Sequence, residues 1–300
     1  MIVAGVQTGQ IRGGSARIRY YTFMKHLKCD KTDDLEKADV VYFQKKSSKD
    51  IIKLARELKS KGKKIVYDCD DGDGDRDRKD RNDPAMFKIA DAITTDTDAR
   101  AKQFRKKTNT PVYVVQDCID YDIDPTDHIE IKPTIETIGT FGTHKVLEAT
   151  FNMIKHIPRC KNQYYITDRN IKKYDKHGWR LIHWGLITFV DNLKLFDLCI
   201  LLHPKDKVGN LKSNNRLLVC MALGIPTIVS DTAAYSKTMC LVNIYGWDIK
   251  IKKAIDLISD YETRKYYSIR MSQFAWGRYS PAESARQLEQ VFRRLYDSSL

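Results

Sequence analysis

Long apolar runs are absent from this chain of 300 residues. Its longest apolar stretches, such as Leu198–Leu202, are far shorter than the ~20 residues that a membrane-spanning helix needs. Glycine (15 residues) and proline (8 residues) are scarce, which excludes a collagen-like repeat. The first six residues lack a charged start and a small-residue cleavage site, so we expect no signal peptide. With 42% apolar and 30% charged residues, the composition is typical of a soluble globular protein.

Cysteine pairs with metal-binding spacing are absent as well. The seven cysteines are scattered, at Cys29, Cys69, Cys118, Cys160, Cys199, Cys220 and Cys240. Their odd number and the lack of a CxxC or CxH spacing favour neither a disulfide framework nor a zinc site. Cys199 and Cys220 fall in apolar runs, where we expect small core residues. We therefore expect a reducing, cytoplasmic environment and no bound metal.

Acidic residues are too few to balance the basic ones. The chain has 39 Asp and Glu against 52 Lys and Arg, which gives a net charge of +13. Such an excess favours an anionic partner, such as nucleic acid, a phosphate-rich ligand or an acidic membrane surface. A lysine-rich surface that is only solvated is an equally open interpretation.

Hydrophobic patterning predicts two α/β halves. In the first half, apolar residues at i, i+3, i+4 and i+7 predict a helix over 51–58, and a basic helix is expected over 98–107. Short apolar runs between these segments predict strands over 40–43, 64–67, 92–95 and 112–115, and a further helix is expected over 16–27. Strands that alternate with helices in this way indicate a doubly wound parallel sheet.

The pattern breaks at 120–134, which is rich in Asp, Pro and Thr and predicts a linker, and then it restarts. Strands are expected over 137–141, 163–167, 180–184, 198–202 and 226–230, and helices over 145–155, 212–223 and from 280 to the end. We place the domains at 1–130 and 131–279, with the helix at 280–300 packing back on the first. Ligands of such sheets bind at the carboxyl ends of strands, so a cleft between the halves is the expected site.

The polar segment Lys212-Ser213-Asn214-Asn215 precedes a predicted helix in the second half. Ser and Asn favour the N-cap position, beyond which the first backbone N–H groups of a helix are available to an anion. Lys212 adds a positive charge, so this segment predicts a diphosphate site. An ordinary capped helix of an α/β domain is the alternative.

An acidic run follows the predicted strand at 64–67. It does not fit a calcium loop, because counting from Asp71 places Arg76 and Asn82 where glycine and glutamate are required. An Asp-x-Asp motif that holds a divalent ion on a nucleotide-sugar is a second interpretation. A solvated Asp/Arg loop is a third, and it fits 73–83 better than 68–71.

Basic residues are concentrated in the first half. Between Lys45 and Lys64, nine Lys or Arg residues face two acidic ones. Lys49, Lys53, Arg56 and Lys59 lie opposite the apolar stripe of the predicted helix, and a second basic run ends in Arg105, Lys106 and Lys107. Two basic helices predict contact with a polyanion such as DNA or with anionic lipid. Solvated helix faces are again the alternative.

Six segments resemble, in order along the chain, the common pattern of GT-B glycosyltransferases. The segment that resembles the family's donor-binding helix and strand is KSNNRLLVCMALGIPTIVSD. The others are IRGGSARIRYYTFMKHL, KKIVYDCDD, VYVVQDCIDYD, IGTFGTHKVLEA and LIHWGLITFVDNLKLFDLCILLHP. The resemblance implies two Rossmann-like domains facing across a cleft, with the acceptor on the first, a nucleotide-sugar on the second and no metal.

The resemblance also implies roles for individual residues. It places Asp70 or Asp71 as the carboxylate that binds or deprotonates the acceptor hydroxyl. The donor-binding residues it implies are Gly13, Gly14, Gly142, His144, Lys145, Trp184, Lys212, Ser213, Asn214, Asn215 and Arg216. The residues expected to contact an anionic acceptor are Arg17, Arg19, Lys49, Lys53, Arg56, Lys59, Arg105 and Lys106.

The chain departs from the family at one place. Many relatives carry two glutamates around the donor helix, and this chain has Leu211 and Val219 there. Three functions are therefore open. The first is sugar transfer to a modified base in DNA, which the small, basic chain favours. The second is transfer to a cell-surface glycan or glycolipid, and the third is an inactive GT-B-like protein that binds nucleotide or DNA.

Overall fold

The computed structural model divides the chain into two compact units. The first comprises Met1–Cys118 with Tyr279–Leu300, and the second comprises Ile119–Arg278. The structure describes residues 1–7, 9–70, 83–151, 156–157, 159–169, 171–175, 177–203, 209–238, 242–244 and 249–298. The segment 119–130, which we expected in the first domain, groups here with the second unit.

A parallel sheet forms the centre of the first unit, and its described strands follow the order β2-β1-β3-β4-β5-β6. The strands are β1 (Ile2–Val6), β2 (Asp30–Lys31), β3 (Val40–Gln44), β4 (Lys64–Asp68), β5 (Ala92–Thr95) and β6 (Val112–Val114). The strands β3 to β6 lie where the apolar runs predict them. The strand β2 has two exposed residues and no apolar run, so the sequence gives no signal for it.

Helices cover both faces of this sheet. They are Gly14–Ala16, Arg17–Thr22 and Phe23–His26 in one continuous stretch, then Lys49–Ser60, Asp83–Ile89, Asp98–Arg105 and Pro281–Asp297. The middle part of the first stretch, Arg17–Thr22, is π-helical. The π-helix is rare in proteins, and where it occurs it is often at a functional site. Thr97 caps the helix that follows it by accepting a hydrogen bond from the backbone N–H of Arg100 (3.2 Å).

Alternation along the strands creates two apolar layers. On one face, Val41 and Phe43 pack with the helices Lys49–Ser60 and Asp83–Ile89. On the other face, Val40 and Tyr42 pack with the first helical stretch and with the C-terminal helix. The C-terminal helix Pro281–Asp297 therefore belongs to the core of the first unit, as the sequence predicts. Its buried apolar residues are Ala285, Leu288, Val291 and Phe292.

A second parallel sheet forms the centre of the second unit, with the order β12-β11-β10-β7-β8-β9. Its strands are β7 (Thr137–Phe141), β8 (Asn162–Thr167), β9 (Arg180–His183), β10 (Leu198–Leu201), β11 (Thr227–Ser230) and β12 (Val242–Ile244). The helices are His144–Phe151, Lys172–Asp175, Phe189–Leu193, Asn215–Ala222, Ile249–Leu257 and Tyr261–Tyr279. Short 3₁₀ turns cover Gly209–Leu211 and Tyr235–Lys237.

The two parallel sheets with flanking helices confirm the predicted α/β class. The donor helix begins at Asn215, three residues later than the sequence predicts, because Gly209–Leu211 forms a separate turn. Across the described ranges, no helix combines the length and the apolar character that a membrane span requires.

Candidate functional site

The strand order of the second sheet reverses direction between β7 and β10. In open α/β sheets, ligands bind outside the carboxyl ends of the strands at such a point. Here those carboxyl ends are Phe141 and Leu201. The polar groups that gather around them form the candidate donor site of the second unit.

Arg216 joins the two strand ends. Its Nη1 donates to the carbonyl oxygen of Phe141 (2.8 Å), and its Nη2 donates to that of Leu202 (3.2 Å). The side chain is half-buried, so the guanidinium is fixed by main-chain acceptors and is still in reach of solvent. A fixed positive charge at this point suits an anionic ligand.

His203 lies directly after β10 and contacts the same guanidinium. Arg216 Nη2 is 3.2 Å from His203 Nε2, and the hydroxyl of Tyr235 is 3.1 Å from that nitrogen. Burial, together with the charges of Arg216 and Lys212, holds the pKa of His203 well below its usual value of 6.5. The imidazole is therefore neutral at physiological pH, and the positive charge of the cluster belongs to the two cations.

The start of the Asn215–Ala222 helix supplies further donors. Asn214 is the N-cap, but its side chain donates to Thr238 Oγ1 (3.4 Å) and makes no capping bond. The first-turn N–H groups are therefore not capped by that side chain, and the positive end of the helix dipole lies there. Lys212 and Ser213 precede this end and are half-buried. The charge of Lys212 is one of the causes that lower the pKa of His203.

Gly142 follows β7 with φ of +147°, a conformation that residues with a side chain rarely adopt. A Cβ at this position would lie 3.2 Å from Arg216 Nη1, so glycine also leaves room for the guanidinium. His144 begins the next helix and is half-exposed. Lys145 belongs to the same helix, and its side chain is outside the part that the structure describes.

Trp184 lies after β9 and is half-buried. Its indole Nε1 donates to the hydroxyl of Tyr121 (3.4 Å), whose backbone has a positive φ of 74°. The Tyr121 ring packs on Phe189, with centroids 4.5 Å apart, and Phe189 packs on Phe141 at 5.2 Å. An aromatic cluster thus extends from Trp184 to the end of β7.

The glycine loop of the first unit leads into its first helix. Gly13 and Gly14 have no left-handed backbone, so the conformation itself does not require glycine at either position. Arg17 is buried, and its Nη1 donates to the carbonyl oxygens of Ile11 (3.1 Å) and Arg12 (3.3 Å). Arg17, which we expected to contact an anionic acceptor, is thus buried and stabilises the loop from within.

Arg19 requires a correction. We expected it to reach an anionic ligand, but its side chain is 0% exposed. The guanidinium pairs with Asp68 (2.6 Å) and Asp117 (2.9 Å) and donates to the carbonyl oxygen of Val115 (2.8 Å). A buried arginine needs such partners to offset desolvation, so Arg19 is a core residue that ties together the ends of β4 and β6.

Asp70 follows β4 at the carboxyl end of the first sheet. Its Oδ1 is 2.6 Å from the ammonium of Lys45, which follows β3, the neighbouring strand. Lys45 was not among the predicted site residues, because in the sequence it is one of many lysines in the basic stretch 45–64. Asp71 lies outside the described residues.

The basic helix faces of the first unit are exposed. Lys49, Lys53 and Arg56 extend into solvent along one helix. Lys59 is also exposed, but its ammonium contacts Asp91 (3.1 Å) and the carbonyl oxygen of Ile89. On the second basic helix Lys106 is exposed, and Arg105 is exposed while donating to the carbonyl oxygen of Val112 (2.7 Å). Arg100, in contrast, is buried beside Asp96 and does not belong to this surface.

Most of the acidic run considered for a divalent ion, 71–82, lies outside the described residues. Among those residues, no group of three or more His, Cys, Asp or Glu side chains is placed to hold a metal ion. The cations of the donor site, Lys212 and Arg216, are the groups that this structure offers to a diphosphate.

Comparison with known proteins finds similar structures but no match by sequence. No protein-family model matches the chain, and no characterised protein matches its sequence. Among solved structures, Anabaena Alr3699/HepE in complex with UDP and glucose is similar over 100% of this chain and 99% of its own. Its TM-score is 0.70 at 10% identity.

Two further structures have the same architecture. A glycosyltransferase from Rickettsia africae aligns over 98% of this chain and 97% of its own chain, with a TM-score of 0.66 and 10% sequence identity. The second is an alpha-glucosyltransferase in complex with UDP and a DNA that contains an HMU base. It aligns over 97% of this chain and 98% of its own chain, with a TM-score of 0.64 and 11% sequence identity. These likenesses extend over both units, and the chain therefore has the GT-B glycosyltransferase fold that its motifs predict.

Proposed function

We propose that this protein is a glycosyltransferase that moves a sugar from a nucleotide-sugar donor to an acceptor hydroxyl. One observation carries the proposal. Arg216 is fixed between the carboxyl ends of β7 and β10, where the strand order reverses, next to Lys212 and the uncapped start of a helix. Cations and backbone donors in this arrangement suit a diphosphate. Structures of the same fold have been solved in complex with UDP.

The chemistry follows from these groups. As the bond between sugar and diphosphate breaks, negative charge develops on the leaving oxygen. Lys212, Arg216 and the first N–H groups of the Asn215–Ala222 helix stabilise that charge, and no metal is needed to neutralise it. Asp70 in the first unit accepts the proton of the acceptor hydroxyl. The rest of the rate enhancement comes from holding the two substrates in register.

Donor recognition differs from that of many GT-B enzymes. Val219 replaces a glutamate of the family pattern and is 2% exposed, so it belongs to the core of its helix. Leu211 replaces the other glutamate and ends a 3₁₀ turn. Asn214, Asn215 and Ser213 are the polar groups left near that position, and they take over contacts with the donor.

We further propose that the acceptor is a hydroxyl on a modified base in DNA and that the protein acts in the cytoplasm. The exposed cations Lys49, Lys53, Arg56 and Lys106 support a polyanionic acceptor. A structure of the same fold holds DNA with an HMU base. Transfer to a glycan or glycolipid at an anionic membrane is the competing acceptor class.

The test is release of sugar from nucleotide-sugars by the purified chain, because most active glycosyltransferases slowly hydrolyse their donors. A thermal-shift screen identifies the donor first, since a ligand at about 100 times its Kd stabilises a protein by ~2.7 kcal/mol. We expect hydrolysis of the stabilising donor to continue in EDTA. Stabilisation without hydrolysis or transfer would identify an inactive nucleotide-binding protein, and complete loss in EDTA that manganese restores would establish a metal-dependent enzyme.

A further inference from the structure

Lys45 has an unusual backbone for a lysine. It follows β3 with φ of +57°, in the left-handed region that favours glycine. Its backbone N–H donates to the carbonyl oxygen of Asp68 (2.9 Å), so the neighbouring strand holds this conformation in place. A residue with a side chain is strained in this conformation, and such residues cluster at functional sites.

The ammonium of Lys45 lies beside the carboxylate of Asp70. The Nζ–Oδ1 distance is 2.6 Å, and the two side chains are only 7% and 11% exposed. Removing both charges from water is expensive, and a well-packed apolar pair often stabilises a fold as well or better. Stability alone therefore does not explain why a lysine occupies this position.

Two other carboxylates near this edge, within the described residues, have partners of their own. Asp68 binds Arg19 and accepts from Thr94 Oγ1 (2.7 Å), and Asp83 accepts from Ser47 Oγ (3.0 Å) and from the hydroxyl of Tyr67. Strand β3 also flanks β1, and the strand order of the first sheet reverses between these two strands, so the pair lies beside a point where ligands of such sheets bind.

We propose that Lys45 is a positioning residue for Asp70, fixing the carboxylate that receives the proton of the acceptor hydroxyl. This inference rests on the proposed function. In that reaction the acceptor oxygen forms a bond to the anomeric carbon, and its proton moves to Asp70. The bond from the anomeric carbon to the diphosphate oxygen breaks, and its electron pair leaves with the nucleotide. Lys45 touches neither substrate and acts through the carboxylate.

Lys45→Gly tests the proposal, because glycine relieves the left-handed backbone while removing the ammonium. We expect folded protein with unchanged donor affinity and a 10- to 100-fold lower kcat for transfer, which is the effect of a misplaced catalytic group. Lys45→Arg keeps a cation and should recover most of the rate. Butylammonium, which mimics the missing side chain, should restore activity to Lys45→Gly, whereas butanol should not. Lys61→Met, which removes an exposed cation paired with Glu36 and Glu57, is the matched control.

The outcomes separate the two proposals. A parent protein that neither hydrolyses nor transfers sugar from any donor overturns the proposed function and this inference with it. An active parent whose Lys45→Gly variant keeps its kcat overturns the inference alone. An active parent whose variant loses activity, with equal recovery by butylammonium and butanol, also overturns it, because the lysine would then only fill space.

Discussion

Three buried or half-buried arginines show how single residues organise this chain. Arg19 binds two carboxylates in the first unit, and Arg216 binds two main-chain carbonyls at the donor site. Arg264 is buried in the second unit and donates to the carbonyl oxygens of Lys132 and Pro133 (2.7 and 2.8 Å). The planar guanidinium, with five donors, can join segments that are distant in sequence. Arginines that composition alone assigns to the surface thus fix strand ends and loops.

At the same scale, Lys212 should matter for donor binding and not for folding. Lys212→Ala removes one charge-assisted contact to the diphosphate, which is worth roughly 1.5–3 kcal/mol. We expect donor affinity or kcat/KM to fall about 10- to 150-fold, with an unchanged melting temperature. Titration calorimetry and donor hydrolysis measure the two effects. Lys161→Ala, at a 68% exposed lysine paired with Glu136, is the control, and equal effects of the two variants would contradict the site.

His203 predicts a pH dependence of stability. Its folded pKa lies well below 6.5 because of burial and the charges of Arg216 and Lys212, whereas the unfolded chain takes up a proton near 6.5. Below about pH 6.5 the unfolded state therefore binds more protons. This group then lowers stability by ~1.4 kcal/mol for each further pH unit, until the folded pKa is reached.

Urea unfolding between pH 5 and pH 8 measures this contribution of His203 to the free energy of unfolding. His203→Gln should remove it, so that the curve of stability against pH becomes flatter below 6.5. His177→Gln, at an exposed histidine, should leave the slope unchanged. The same slope in the parent and in His203→Gln would mean that the imidazole is protonated in the folded protein.

At the scale of elements, apolar runs predict most strands because both faces of a parallel sheet are buried. Ala92–Thr95 and Thr137–Phe141 have the predicted bounds. The helix Tyr261–Tyr279 was not predicted, since the polar residues Arg264, Ser268 and Ser272 share its buried face with the apolar ones. The donor segment is recognisable from its motif. Its contacts could not be predicted, because Phe141, which contacts Arg216, and Tyr235, which contacts His203, are brought to it by the fold.

The helix Lys49–Ser60 carries the DNA prediction. Each phosphate that a protein neutralises contributes about −0.9 to the slope of log K against log[salt]. We expect duplex DNA to bind with a slope near −4 to −5, for roughly four to six contacts. Reversing Lys49, Lys53 and Arg56 to Glu should weaken binding and make the slope shallower by up to about three units. Lys59 is left intact because it contacts Asp91.

Reversal of Lys265, Arg270 and Arg278, which are exposed in the second unit, gives a control of equal charge. This control variant should bind DNA with nearly the same slope of log K against log[salt] as the parent protein. The variant with Lys49, Lys53 and Arg56 reversed should still bind the donor. A parent protein that ignores DNA at low salt and sediments with anionic vesicles would replace the DNA acceptor with a glycolipid.

At the scale of the whole molecule, the chain leaves the first unit at Cys118 and returns to it at Tyr279. The returning helix is capped by Ser280, whose Oγ accepts from the backbone N–H of Glu283 (3.4 Å). Glu289 accepts from the backbone N–H of Lys28 (2.9 Å), and Phe292 is fully buried against the first sheet. Residues at opposite ends of the sequence therefore complete one core.

Truncation after Tyr279 should separate the two units functionally. Loss of Leu288, Val291 and Phe292 removes three buried side chains, each worth about 2–5 kcal/mol, which together rival the 5–15 kcal/mol that stabilises a typical protein. We expect limited proteolysis to degrade 1–118 rapidly, while the donor still protects 119–278, and transfer to be lost. Deleting only residues 299–300 should change nothing. If the truncated chain keeps a protease-resistant first unit, the C-terminal helix is dispensable, and the first core is complete without it.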